Sequence, residues 1–298
     1  MRQRTFVLGS AAAVLAVALA AAPAAQRGTR EQLVVVSVLD KTEKTVEGLT
    51  PADFTVREDG VAREVLRVEQ ASAPMQIAVL VDTSATMQDT IQDQRKGVMA
   101  FARGIWAKSP DSEISLTEFG ERPAQISAPT TSAAVLERGV NTLFHHPGSG
   151  AYLLEAIGEA AKALKKREAK RAVIVAFSSE ASPEFSPWRS TEIEGGLKGA
   201  RAALWALEIQ ASVRASSSDE VRERNMVLGD VTTRSGGTRE TMLDRMGIEM
   251  KFRALADRLT SQYAVTYSRP DALIPPSKLE VTSKRPGARV LAPRWTGQ

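Results

Sequence analysis

The chain has 298 residues and no cysteine, which excludes a disulfide framework, a thiolate metal site and lipid attachment through an N-terminal cysteine. Its 39 Lys and Arg barely exceed its 35 Asp and Glu, and a formal charge of +4 gives no ground for nucleic-acid binding. A chain this long can bury one sizeable domain and a smaller one.

Met1-Arg2-Gln3-Arg4 precedes an apolar run from Phe6 to about Ala22, and Ala22-Pro23-Ala24-Ala25 closes it with small residues. That order predicts an export signal over 1–25, cleaved after Ala24 or Ala25. The mature chain is then expected in the periplasm or secreted, with no transmembrane segment. Residues 26–72 read as strands: Leu33–Val38, Phe54–Arg57, then Glu58-Asp59-Gly60 as a hairpin turn into Val61–Val68.

From 73 to 261 strands and helices alternate. Apart from Gln76, Met75–Val81 is continuously apolar, as a strand buried on both faces must be. Thr86–Ala107 has helical spacing. Glu113–Phe119 and Ala124–Ser127 read as strands, and Ser132–Leu143 and Ala151–Arg167 as helices. Arg171–Phe177, Ala202–Ile209 and Thr238–Met242 read as further strands, Asp219–Thr233 and Arg245–Leu259 as helices, and Gly195-Gly196 and Gly236-Gly237 as turns or caps. This alternation predicts a three-layer, Rossmann-like α/β domain around a mostly parallel sheet. Residues 262–298 return to strands (Tyr263–Tyr267, Leu279–Ser283, Arg289–Leu291), which predicts a small β-sandwich built from both termini with the α/β domain inserted.

Asp82-Thr83-Ser84-Ala85-Thr86 stands where the first buried strand hands over to a helix. In open α/β sheets ligands sit beyond the carboxyl ends of the strands. Asp82, Ser84 and Thr86 are spaced so that one carboxylate and two hydroxyls can converge on a hard cation such as Mg²⁺ or Mn²⁺. A second reading stays open: Thr86 through Asp89 fits a capping box, with Thr86 or Ser84 capping the helix and Asp82 accepting its first amides.

The run Ile77–Met87 resembles the first loop of the metal-ion-dependent adhesion site of von Willebrand factor type A domains, D-x-S-x-S. The flanks Val46–Gly60 and Leu259–Tyr267 resemble those of the acidobacterial VWFA-related proteins. The resemblance implies a non-catalytic adhesion-type module that binds a protein partner in the cell envelope or extracellular space. It also implies a cation held by Asp82, Ser84 and Thr86, with a threonine and an aspartate from two further loops. Aligned with those loops, this chain has Ala151 for the threonine and Ser179 for the aspartate. The site is therefore degenerate and expected to bind a cation weakly, unless Ser179 or Glu180 compensates.

His145, His146, Tyr152, Phe185 and Trp188 fall in loops at the same edge. They are expected to form a partner-binding patch there, with Tyr152 and Trp188 as anchors; packing beneath its own loop fits Phe185 better. The alternative class is a phosphatase-like hydrolase using Asp82 as nucleophile. Serine at position 84 cannot supply the second carboxylate that such chemistry needs. No G-x-S-x-G elbow and no phosphate-binding glycine loop occurs, and a zinc site lacks ligands.

Overall fold

Asp59 and Gly60 both have positive φ, 47° and 82°, in the computed structural model, which describes residues 29–213, 217–271 and 276–295. That pair of left-handed residues closes a two-residue hairpin whose twist matches its strands. Among the described residues four strands precede the α/β zone: β1 (Thr29–Leu39), β2 (Phe54–Glu58), β3 (Val61–Arg63) and β4 (Val65–Gln70). The single strand expected over Val61–Val68 is therefore two. β3 pairs with β2, whereas β4 joins a different sheet, so the chain turns a sandwich corner at Glu64. The expected signal segment, 1–25, lies outside the described residues.

The α/β zone runs β5 (Gln76–Val81), α1 (Ile91–Lys108), β6 (Glu113–Glu118), β7 (Ala124–Thr130), α2 (Ala133–Thr142), α3 (Leu153–Lys166), β8 (Ala172–Ser179), α4 (Ser190–Ala200) and β9 (Ala203–Ile209). It continues with α5 (Asp219–Met226), a π-turn over Val227–Val231, α6 (Thr232–Arg234), β10 (Arg239–Met242) and α7 (Ile248–Thr260). Gly195 and Gly196 lie inside α4 and are not a turn. The helix forms because Ile193, Leu197 and Ala200 bury one face of it. The helix expected from Thr86 begins instead at Ile91, after a 3₁₀ turn over Ala85–Thr90.

Strand order is β10-β9-β8-β5-β6-β7, parallel except for the antiparallel edge strand β7. Alternate side chains of the strands fill two cores. Ile77, Val79, Val81, Val175, Phe177 and Trp205 meet α1 and α7, whereas Leu80, Ile174 and Leu204 meet α3 and α4. Connections leave β5 and β8 in opposite directions across the sheet, so the crevice that open α/β sheets offer to ligands lies at their carboxyl ends.

The chain ends with β11 (Tyr263–Pro270), β12 (Leu279–Ser283) and β13 (Arg289–Leu291). Two antiparallel sheets, β13-β1-β11-β4 and β12-β2-β3, pack around Val34, Val36, Val38, Phe54, Val56, Val265 and Val281. Inside them the Glu58 carboxylate accepts from Tyr267 Oη (2.8 Å), Arg269 Nε (2.7 Å) and Arg63 Nε (2.9 Å). Burial alone would raise this carboxyl, but the bonds from Arg269, Tyr267 and Arg63 outweigh it and hold the group below its ordinary value. The α/β zone leaves the sandwich from β4 and returns through β11, its antiparallel neighbour, with Gln70 opposite Tyr263. Arg171 clamps this junction, donating to the carbonyls of Ala71, Ala73 and Leu259 and to Gln262 Oε1.

Candidate functional site at the strand ends

β5 delivers Asp82 to the switch point, where its amide still pairs with Phe177 O (3.0 Å). The side chain is fully buried. Oδ1 accepts from the Ser84 amide at 2.8 Å, and Oδ2 has no hydrogen-bond partner among the described residues. Burial pushes this carboxyl above its usual range, opposed by Ser182, Ser84 and the charge of Arg224. Neither Thr86 nor Ser84 caps α1 through its side chain, and Asp82 accepts no amide of that helix; the capping reading does not describe this loop.

The hydroxyls of Ser84 and Thr86 do converge, 3.0 Å apart, and a third from Ser182 joins them at 3.3 and 2.6 Å. Ser179 and Glu180 do not. Ser179 Oγ accepts from the Ala181 amide, and Glu180 turns toward Arg239 and the Ala211 amide. Ala151 presents only a methyl group, and its backbone instead stitches the second loop to the third, through Pro183 O (2.8 Å) and the Phe185 amide (2.8 Å). Glu184 crosses the same seam to accept from the first amides of α3, Leu153 (3.3 Å) and Leu154 (3.4 Å). Burial lifts its carboxyl to about 7, against hydrogen bonds from Ser186 and the Arg224 charge.

A divalent ion would find one carboxylate, three hydroxyls bonded to one another and no ligand from the second loop. It would also face a fixed positive charge, because Arg224, reaching in from α5 and 2% exposed, donates to Ser182 O. Mg²⁺ sheds water only for a near-octahedral oxygen set. The orphan Asp82 Oδ2 favours a cation, but the rest of the donor set does not, and the residues present do not fit a divalent metal. Ser182, Glu184 and Arg224 were invisible to sequence reasoning: no fixed spacing links them to Asp82, and only the fold brings their loops together.

The expected patch is partly rearranged. Trp188 is not at the rim; its ring lies on α3 over Gly158, where a Cβ would stand 2.4 Å away, and Lys162 Nζ sits 4.4 Å above it. Phe185, expected beneath its loop, is 53% exposed, packed edge-on to Tyr152 at 6.1 Å and tight over Gly150. Tyr152 also carries the Arg122 guanidinium at 4.9 Å. His146 faces Glu118 (3.5 Å) and Glu121 (3.9 Å) and stacks on Phe144; His145 beside it is half-buried. The sequence reading missed Phe144, Leu243 and Met246, which are 57%, 83% and 85% exposed. Arg245 Nη1 donates to Asp89 O (2.9 Å), tying the loop after β10 to the loop after β5.

Asp82 offers no approach to a substrate: its side chain is fully buried, and its Oδ1 is taken by the Ser84 amide. Among the described residues no three His, Asp or Glu side chains gather as a metal site, and no helix is long and apolar enough to cross a membrane.

Residues 77–182 match the family profile of the von Willebrand factor type A domain. The chain carries a domain of that type, and such domains are mostly non-enzymatic interaction modules. No curated protein matches the sequence. Among solved structures, proximal thread matrix protein 1 from the mussel byssus shares the fold at TM-score 0.50 and 12% identity, over 64% of this chain and 49% of that one. A von Willebrand factor type A protein from Catenulispora acidiphila covers 88% of this chain and 71% of its own, with 9% identity and TM-score 0.48. The N-terminal domain of TFIIH p34 covers 62% and 99%, with 12% identity and TM-score 0.49.

Proposed function

We propose that this chain is a non-catalytic recognition module that binds a protein partner through the carboxyl-end rim of its parallel sheet. One observation carries the reading: Phe144, Phe185, Leu243 and Met246 all stand exposed on loops of that single edge. Large exposed apolar side chains cost solubility, and gathered on one edge they mark an interaction site. Asp82 is then scaffold, bracing the loop that separates the two halves of the rim, and Phe185 with Tyr152 forms one anchor. The N-terminal pattern of Met1–Ala25 supports export, so the partner belongs to the cell envelope or the exterior. The charge balance within the site argues that binding does not depend on Mg²⁺ or Mn²⁺.

A photo-crosslinking side chain at position 246 or 185, compared with one at Val135 on α2, tests the surface. Capture of one defined partner from envelope fractions at the rim positions and not at Val135 is expected. Equal labelling at all three removes the rim from the proposal. Turnover of a generic phosphoester, lost in Asp82→Asn, would instead establish the hydrolase.

A further inference from the structure

Of the carboxylates buried beneath the rim, Asp82, Glu184 and Glu208 are almost wholly enclosed, and their partners are unequal. Glu208 pairs with Arg239, which also reaches Glu180 at 3.7 Å. Asp82 and Glu184 have no ion-pair partner within 4.0 Å among the described residues, and both are almost wholly buried. Buried charge of one sign is unstable unless an opposite charge stands near. The buried base among them is Arg224, 2% exposed, which donates to the Ser182 carbonyl and whose charge opposes the rise that burial gives Asp82 and Glu184.

Ser182 couples that base to the hydroxyl cluster. Its carbonyl accepts from Arg224 Nη1, and its hydroxyl bonds Thr86 and Ser84. A dication seated among those hydroxyls would have Asp82 as its one carboxylate and a guanidinium on the far side of Ser182. A guanidinium does not lose its proton in proteins, so it cannot yield to the metal by titrating. We propose that Arg224 is the resident cation of this site: it supplies the positive charge beside Asp82 and Glu184 and ties α5 to the loop that carries Ser182, where domains of this type use a divalent metal. The rim is thereby set permanently, and calcium, magnesium or manganese levels do not switch it.

The test uses the whole chain after removal of the expected leader. Wild-type protein is titrated with MnCl₂ and MgCl₂ in the millimolar range, read by calorimetry and by thermal denaturation. A double-mutant cycle of Arg224→Met, Asp82→Asn and the pair is run alongside. No metal-dependent rise in Tm is expected for wild type. Arg224→Met alone should lower Tm by several degrees, and adding Asp82→Asn should restore part of that loss, because the second change removes the buried acid that the first leaves without a counter-charge. Either a Tm rise with Mn²⁺ that Asp82→Asn abolishes, or strictly additive effects in the cycle, overturns the proposal. If Arg224→Met fails to fold, the wild-type titration decides on its own.

Discussion

Two regions of this molecule bury charge, and they do so differently. In the terminal sandwich Glu58 is surrounded by Arg269, Arg63 and Tyr267, all at hydrogen-bond distance. At the strand-end rim, Asp82 keeps an oxygen without a partner, and Glu184 accepts only from Ser186 and the first amides of α3, with no base in an ion pair. A closed network fixes two sheets in one arrangement. An open one stands at the point in the sheet where chain direction reverses and loops from distant segments meet. The two buried carboxylates thus differ in how fully they are satisfied, Glu58 by three side chains and Asp82 at one oxygen only.

The largest effect should come from opening the closed network. Arg269→Met leaves Glu58 buried with only a partial counter-charge and should cost about 3–5 kcal/mol in chemical denaturation; a cost below about 1 kcal/mol would make the sandwich cluster ornamental. At the open network the expected signature is pH dependence. Folded Glu184 holds its proton up to about 7, against an ordinary 4.5. Its contribution to stability is therefore whole below the unfolded value and is lost as pH climbs through about 7, up to about 3 kcal/mol. Glu184→Gln keeps an acceptor for the α3 amides and should flatten that slope between those pH values, as followed by Tm. A slope unchanged in the variant would move the titration elsewhere.

Gly158→Ala drives a Cβ into the Trp188 ring and should destabilise by about 1–3 kcal/mol, with a shift in tryptophan emission. The smallest change in stability, within about 0.5 kcal/mol, belongs to Met246→Ala and Leu243→Ala, which touch solvent. Those two variants should still weaken partner binding, whereas Trp188→Ala should not. The reverse ranking in a binding assay would return Trp188 to the interface.

Much of this was legible along the chain, because the signals are local. The apolar run to Val81 marks a strand buried on both faces, Asp82, Ser84 and Thr86 mark the loop that follows it, and Asp59-Gly60 marks the hairpin between β2 and β3. What escaped was non-local. α4 carries two glycines, and packing against α3, not propensity, makes it helical. The split of Val61–Val68 depends on which sheet each half meets. Ser182 reaches the hydroxyl cluster from the loop after β8, Arg224 reaches the Ser182 carbonyl from α5, and nothing in their immediate neighbours marks them. Exposure was equally hidden: Phe185 and Trp188 stand three residues apart with opposite fates, decided by Gly150 under one ring and Gly158 under the other.

The pairing of Gln70 with Tyr263 has an evolutionary consequence. Everything between those residues departs and returns at adjacent, hydrogen-bonded positions, as if grafted onto the bend of an ordinary hairpin. Genetic exchange at that point would swap one head for another, or shorten it to a tight turn, while leaving the pedestal's strand order untouched. The junction is a natural cassette boundary, and Arg171, holding the backbone of both crossings, is what a transplanted head would have to bring with it.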